Sequence, residues 1–110
     1  MSADIRTNKR HYPWWGHVKA IVRAYPEQTG KDLSRVETMN YEAVKAAIEA
    51  TERMENGAAR LKVIRLAHWD RPRTLTFNGV ANTVPCDRAT AARWQRRFFE
   101  EVARNRDFLD

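Results

Sequence analysis

Apolar residues in this chain recur with the period of an α-helix, and the residues that break helices fall between the recurrences. Trp14, Val18, Ile21, Val22 and Tyr25 stand at i, i+4, i+7, i+8 and i+11, which draws one stripe along a helix. Pro13 can open that helix, because a first-turn residue has no intrahelical use for its N–H, and Pro26 is expected to close it. The pattern therefore predicts a helix over 14–25. The whole sequence holds only four Gly and four Pro, whereas a sandwich of short strands needs turn residues at intervals of about 8–12 positions. The composition argues against such a sandwich.

The stretch PEQTGKDL after this helix, with Pro26 and Gly30, reads as a loop. Ser34 with Glu37 three residues on has the form of a capping box, in which each side chain satisfies a backbone N–H of the first turn. Met39, Ala43, Val44, Ala47, Ile48, Thr51 and Met54 then hold a helical period, and Asn56-Gly57 supplies residues that tolerate a left-handed cap. A helix over 35–55 is expected. Leu61, Ile64, Leu66, Ala67, His68 and Trp69 form a shorter helix ending before Asp70, antiparallel to the previous one. The first dozen residues carry no periodicity and read as a flexible basic arm over 1–12. The expected architecture is an all-α, small helical domain of about five helices over 13–110, ending in a C-terminal helix-turn-helix at 74–105.

Charge narrows the function. The formal net charge is +6, and it is unevenly spread. Residues 1–26 carry +4, residues 27–70 carry −1, residues 71–97 carry +5 and residues 98–110 carry −2. A basic segment flanked by near-neutral ones points to a polyanion, nucleic acid above all. One cysteine, Cys86, cannot form an internal disulfide, and neither a secretory pattern nor an apolar run of about 18 residues occurs. These features argue for a reducing cytoplasm and against a membrane partner. His11, His17 and His68 lack ligand spacing, so no metal site is expected. No phosphate loop, paired acids or cofactor motif appears either, and the expectation is a protein that is not an enzyme and carries no cofactor.

The segment TLTFNGVANTVPCDRATAARWQRRFFEEVARN carries the most specific signal. A helix-turn-helix needs a small residue in its first helix, an apolar residue one turn later, a tight turn, and apolar residues along the inner face of its second helix. Ala81 fits the small position and Val84 the inner one, Pro85 sits in the turn, Cys86 follows it, and Asp87 can cap the second helix by accepting its free N–H groups. Most such motifs carry Gly in the turn where this one carries Pro85. Ala91, Trp94, Phe98 and Val102 would form the inner face. On the outer face lie Arg88, Ala89, Ala92, Arg93 and Arg96, with Arg97 at its edge and Thr90 in the first turn.

Small Ala89 and Ala92 would let the helix approach the major groove, while the arginines reach guanine or phosphate. Guanidinium makes bidentate contacts to either that an ammonium cannot. Arg71 and Arg73, just before the motif, are expected to hold flanking phosphates, with Arg6, Lys9 and Arg10 of the arm adding general attraction.

Over nearly its whole length the chain resembles the small phage and prophage transcription activators of the RinA and ArpU type. The parts that carry the likeness are WWGHVKAIVRAYP, NYEAVKAAIEATERMENGAARLKVIRLAHW, and TAARWQRRFFEEVA with the terminal FLD. The resemblance implies a helical protein whose C-terminal helix-turn-helix is similar to region 4 of sigma factors and acts on late-gene promoters. It implies double-stranded DNA as partner, with RNA polymerase as a second one, and a monomer or homodimer in the cytoplasm of a bacterial host, associated with the nucleoid. Two rivals share the architecture or the charge. One is a terminase small subunit, a ring-forming packaging protein. The other is a sigma-like adaptor that binds polymerase and barely touches DNA alone.

Several residues carry a plainer reading. Trp14 is expected in the core with the adjacent Trp15 partly exposed, and Trp69 and Trp94 as core anchors rather than base-stacking platforms. His68 and Asp70 lack a nucleophile to serve. Cys86 reads as a small buried hydrophobe at a turn. Glu42, Glu49, Glu52 and Glu55, with Lys45 and Arg53, read as the solvated face of the central helix.

Overall fold

A computed structural model describes residues 12–70, 84 and 86–109, and all regular structure among them is helical. We number the elements α1 (Trp15–Gln28), α2 (Arg35–Glu52), α3 (Gly57–Ile64), which runs on as a π-helical turn over Arg65–Trp69, and α4 (Arg88–Asn105). The segment expected as the second helix of a helix-turn-helix is helical, as α4; most of the segment expected to precede it, including Ala81 and Pro85, lies outside the described residues. So do Arg71 and Arg73 and the basic arm residues Arg6, Lys9 and Arg10.

Pro26 does not close α1. It lies inside the helix, which continues to Gln28. A proline at 26 cannot donate to the carbonyl of residue 22, and a buried carbonyl left without a partner is costly. Here the indole Nε1 of Trp69 donates to the Val22 oxygen at 2.7 Å. The partner lost in sequence is replaced from 47 residues away, and the helix has no reason to stop. Val18, Ile21 and Val22 are buried as the stripe predicts. Trp14 and Trp15 do not divide as expected: both are half-buried, and Trp15 packs on Phe99 with ring centroids 4.7 Å apart.

The capping box of α2 is present in both directions, with the Glu37 N–H donating to Ser34 Oγ at 3.1 Å and the Ser34 N–H to Glu37 Oε1 at 2.8 Å. Ala43, Val44, Ala47 and Thr51 are buried, and the Thr51 hydroxyl is satisfied by the Ala47 carbonyl at 2.8 Å. Met39, assigned to the stripe, is instead 47% exposed, and Val36 is 56% exposed. The first turns of α2 overhang the core.

The helix also ends at Glu52, short of the expected 55. A Cβ on Gly57 would stand 2.5 Å from the Thr51 carbonyl oxygen and 2.9 Å from that of Glu52. The chain therefore turns back on the end of α2 at a distance only glycine permits. The left-handed residue of this turn is Asn56, with φ 60°, a conformation asparagine tolerates better than most.

The π-turn after α3 closes with the Asp70 N–H donating to the Arg65 carbonyl at 2.8 Å. Buried here are Val63, Ile64, Ala67 and His68. Helix α4 begins at the Asp87 cap and ends in a Schellman arrangement. The Phe108 N–H reaches the Ala103 carbonyl at 2.8 Å and the Asp107 N–H that of Arg104 at 3.0 Å, with Asp107 left-handed at φ 60°. Its C-terminus is fastened to α2 by Asn105 Nδ2 on the Ala43 carbonyl (3.0 Å) and Arg106 Nε on Asn40 Oδ1 (2.7 Å).

The core has two parts. The larger joins α1, α2, α3 and α4 through residues such as Val22, Val44, Ile64, Phe98, Phe99 and Val102. The smaller joins α3 to the start of α4 through Val63, Ala67, Val84 and Ala91, with Cys86 and Trp94 packed on it. The inner face of α4 is wider than predicted. Gln95, Phe99 and Ala103 are buried beside Ala91, Phe98 and Val102, whereas Trp94 is only half-buried. With α1, α2 and α3 all packing on it, α4 must bury two adjacent rows rather than one.

Candidate nucleic-acid interface

Asp87 caps α4: its carboxylate accepts from the Thr90 N–H at 2.7 Å, with the backbone extended at the cap. That backbone hydrogen bond, followed by one from the Thr90 side chain and the charge of Arg93, holds the carboxyl below its ordinary range. The group stays ionised and is occupied by the helix end. Among the DNA-facing set expected from sequence it serves as the cap that orients the others.

Those others fall into two adjacent rows along α4, each stepping by four residues. Arg88, Ala92 and Arg96 form one, and Ala89, Arg93 and Arg97 the other. The first row runs beside buried Phe99 and Ala103, so Ala92 and Arg96 are half-buried and only Arg88, in the first turn, is fully exposed. The second row faces solvent along its length. Thr90 is half-buried, and its hydroxyl accepts from Arg93 Nη2 at 3.3 Å. The expected single outer face is thus a solvent row and a flank.

Charge is not uniform along the rows. Glu101 accepts from Arg97 Nη2 at 3.1 Å and from Arg104 Nη1 at 3.1 Å, and with the adjacent Glu100 the C-terminal half of α4 sets two carboxylates against two arginines. Arg88, Arg93 and Arg96 make no ion pair among the described residues. The uncompensated positive charge is concentrated toward the N-terminus of the helix, where the aligned peptide dipoles also favour an anion.

Arg60 of α3 was not singled out by sequence. Its guanidinium carbon stands 5.5 Å from the centroid of the Trp94 ring, and its Nε donates to the Glu55 carbonyl at 2.9 Å. No local pattern announces such a contact, since it joins residues on different helices.

His68 is buried between α1 and α4. Arg23 Nε donates to its Nδ1 at 3.1 Å, so the ring proton sits on Nε2, which donates to Gln95 Oε1 at 2.6 Å. Burial first, and then the nearby charges of Arg23 and Lys19, push its pKa down to about 4 against the opposing hydrogen bond to Gln95. The ring is a neutral structural bridge. Asp70, two residues further on, lies near Arg65 at 3.6 Å. Cys86 is half-buried, and burial followed by the Asp87 charge raises its thiol pKa, the reverse of what an activated nucleophile requires.

Elsewhere Glu42, Lys45, Glu49 and Glu52 are exposed on α2, and Arg53 and Glu55 are exposed in the turn that follows it. An open cleft of about 510 Å³ between α2 and the end of α4 is lined by residues that include Thr38, Met39, Glu42, Asn105 and Arg106. Among the described residues no cluster of His, Cys, Asp or Glu could hold a metal ion, and no helix is long and apolar enough to cross a membrane. Comparison with protein-family models, with curated proteins and with solved structures finds no match to this chain.

Proposed function

We propose that this chain is a sequence-specific regulator of transcription that binds duplex DNA through α4 as the recognition helix of a helix-turn-helix. The observation that carries the reading is the asymmetry of α4. Its N-terminal half offers Arg88, Arg93 and Arg96 without ion-pair partners among the described residues, around the small Ala89 and Ala92, while Glu100 and Glu101 balance Arg97 and Arg104 in the C-terminal half. A recognition helix presents its N-terminal residues to base edges, and this is the half left charged. Arg93, in the solvent row, reads bases; Arg88 and Arg96 on the flank, with Arg71 and Arg73, hold phosphates. The resemblance to RinA and ArpU-type activators supplies the biological setting, late genes of a phage or prophage in a bacterial cytoplasm.

The test is binding of the purified full chain to duplexes from around its own gene and neighbouring late genes, against random competitor at two salt concentrations. A footprint that survives competitor is expected. Arg93→Ala should cost about 1–3 kcal/mol and relax base preference, and Arg71→Ala should weaken all sequences alike and lower the salt slope by about 1. Equal loss on specific and random duplexes for Arg93→Ala would sink the base-reading role. A large ring in solution would favour the packaging reading instead. One observation favours the adaptor as the second reading: Val36 and Met39 are exposed on the glutamate-bearing helix α2. Under it, DNA binding appears only with polymerase present.

A further inference from the structure

The geometry points to Arg60 as a phosphate-binding residue, so that the DNA surface extends from α4 onto α3. This rests on the DNA-binding reading above and adds a residue of a different helix to it. Three features support the assignment. Arg60 is half-buried and held in one place, with its guanidinium over the Trp94 ring at 5.5 Å and its Nε on the Glu55 carbonyl at 2.9 Å. The Glu55 carbonyl takes the Nε position of the fork. Among the described residues its two terminal nitrogens have no partner and no carboxylate pairs with it. An arginine already ordered on a ring, with its outer edge open, is preorganised for the two parallel N–H donors that phosphate accepts.

The second feature is position. Trp94 lies on α4 between its buried rows and the solvent row, one turn from Thr90 and from Arg97, on the side away from Arg88, Ala92 and Arg96. A helix lying in a major groove about 12 Å wide is bordered by a phosphate ridge on each side. Arg88 and Arg96 serve one flank. Arg60, seated on Trp94, is the cation on the other, and the two flanks together clamp the opposing strands.

The third is the poor fit of a purely structural role. Covering Trp94 needs only an apolar side chain, which loses less rotamer freedom than arginine, and the Glu55 carbonyl that Arg60 also serves is exposed, where water can take the place of Nε. Sequence-independent contacts of this kind fix register and orientation and leave base choice to the groove-facing side chains.

The experiment titrates a fluorescein-labelled mixed-sequence DNA duplex with wild type, Arg60→Ala, Arg60→Lys, Arg88→Ala and Arg35→Ala over a range of salt concentrations. Arg35, exposed at the start of α2, controls for a loss of net charge. Near-UV circular dichroism of the tryptophans checks folding. Arg60→Ala is expected to bind about tenfold more weakly, with a salt slope lower by about 0.9, the same on every sequence. Arg60→Lys, which keeps the charge and loses the fork, should bind less tightly with the slope retained, and it reads the contact if the alanine variant fails to fold. Arg35→Ala should leave both quantities unchanged. If wild type binds and Arg88→Ala weakens it while Arg60→Ala matches wild type, the Arg60 assignment is overturned and the DNA reading stands. An equal slope change in Arg35→Ala overturns the assignment as well. Absence of wild-type binding removes both.

Discussion

Acid should loosen this fold through one residue. His68 is neutral in the native state, and protonation would set an N–H at Nδ1 against the Arg23 Nε–H that now donates to it. It would also add a charge to a buried site already facing Arg23 and Lys19 on α1. The folded-state pKa is about 4 and the ordinary value 6.5. Between those values the unfolded chain binds a proton the native state refuses, so stability falls as pH drops from 6.5 to about 4 and the His68 contribution is fully present only above 6.5. At roughly 1.4 kcal/mol per unit the shift amounts to about 3 kcal/mol, a large fraction of the ~5–15 kcal/mol that holds a domain together.

The assay is urea unfolding followed by tryptophan fluorescence from neutral pH down to about 4.5, run beside His68→Gln. The variant loses the ring contact with Phe99 (centroids 5.4 Å apart), so it starts from a lower stability by roughly 1–3 kcal/mol. The diagnostic quantity is the slope. Between pH 6.5 and 5, where most carboxylates are already ionised, wild type should lose stability and His68→Gln should stay nearly flat. A His68 ring-proton titration by NMR gives the same answer directly, with its midpoint near 4. Equal slopes in the two proteins, or a midpoint near 6.5, would refute the reasoning.

Two further perturbations test local claims. Gly57→Ala should destabilise by about 1–3 kcal/mol, because the added methyl meets backbone oxygens of Thr51 and Glu52 that cannot swing aside; a thermal midpoint equal to wild type would contradict this. Trp69→Phe should cost about 1–3 kcal/mol by orphaning the Val22 carbonyl, and distinctly less in a Pro26→Ala background, where the backbone N–H restored at position 26 takes over that oxygen. A coupling of about 1 kcal/mol is expected from the double-mutant cycle by urea unfolding, and strict additivity would show that the indole bond does not replace the proline's missing one.

What was legible in the sequence follows the range of the interaction involved. The capping box at Ser34 and Glu37, the Asp87 cap and the buried trio Val18, Ile21 and Val22 depend on neighbours within a turn or two, and each is where the spacing put it. The departures are tertiary. Nothing near Pro26 reveals that Trp69 will supply a donor to Val22, so a local reading ends α1 too soon. Gln95 reads as polar surface until His68 and Arg23 are brought to it, and Trp94 reads as core until Gln95 and Phe99 take the inner positions.

The same division runs through the candidate interface. Its arginines, alanines and cap come from one helix and were legible together. The sorting of those arginines was open to the sequence as well, since Glu101 stands four residues after Arg97 and three before Arg104, a local pairing; what the sequence could not supply is burial. Burial then separates the two rows. A side chain on the Arg93 row faces solvent and can be truncated without disturbing the core, whereas Arg96 is half-buried on the row beside buried Phe99 and Ala103. Loss of DNA binding in an Arg96 variant therefore carries a packing contribution, and the Arg93 variant reads the DNA contact more cleanly.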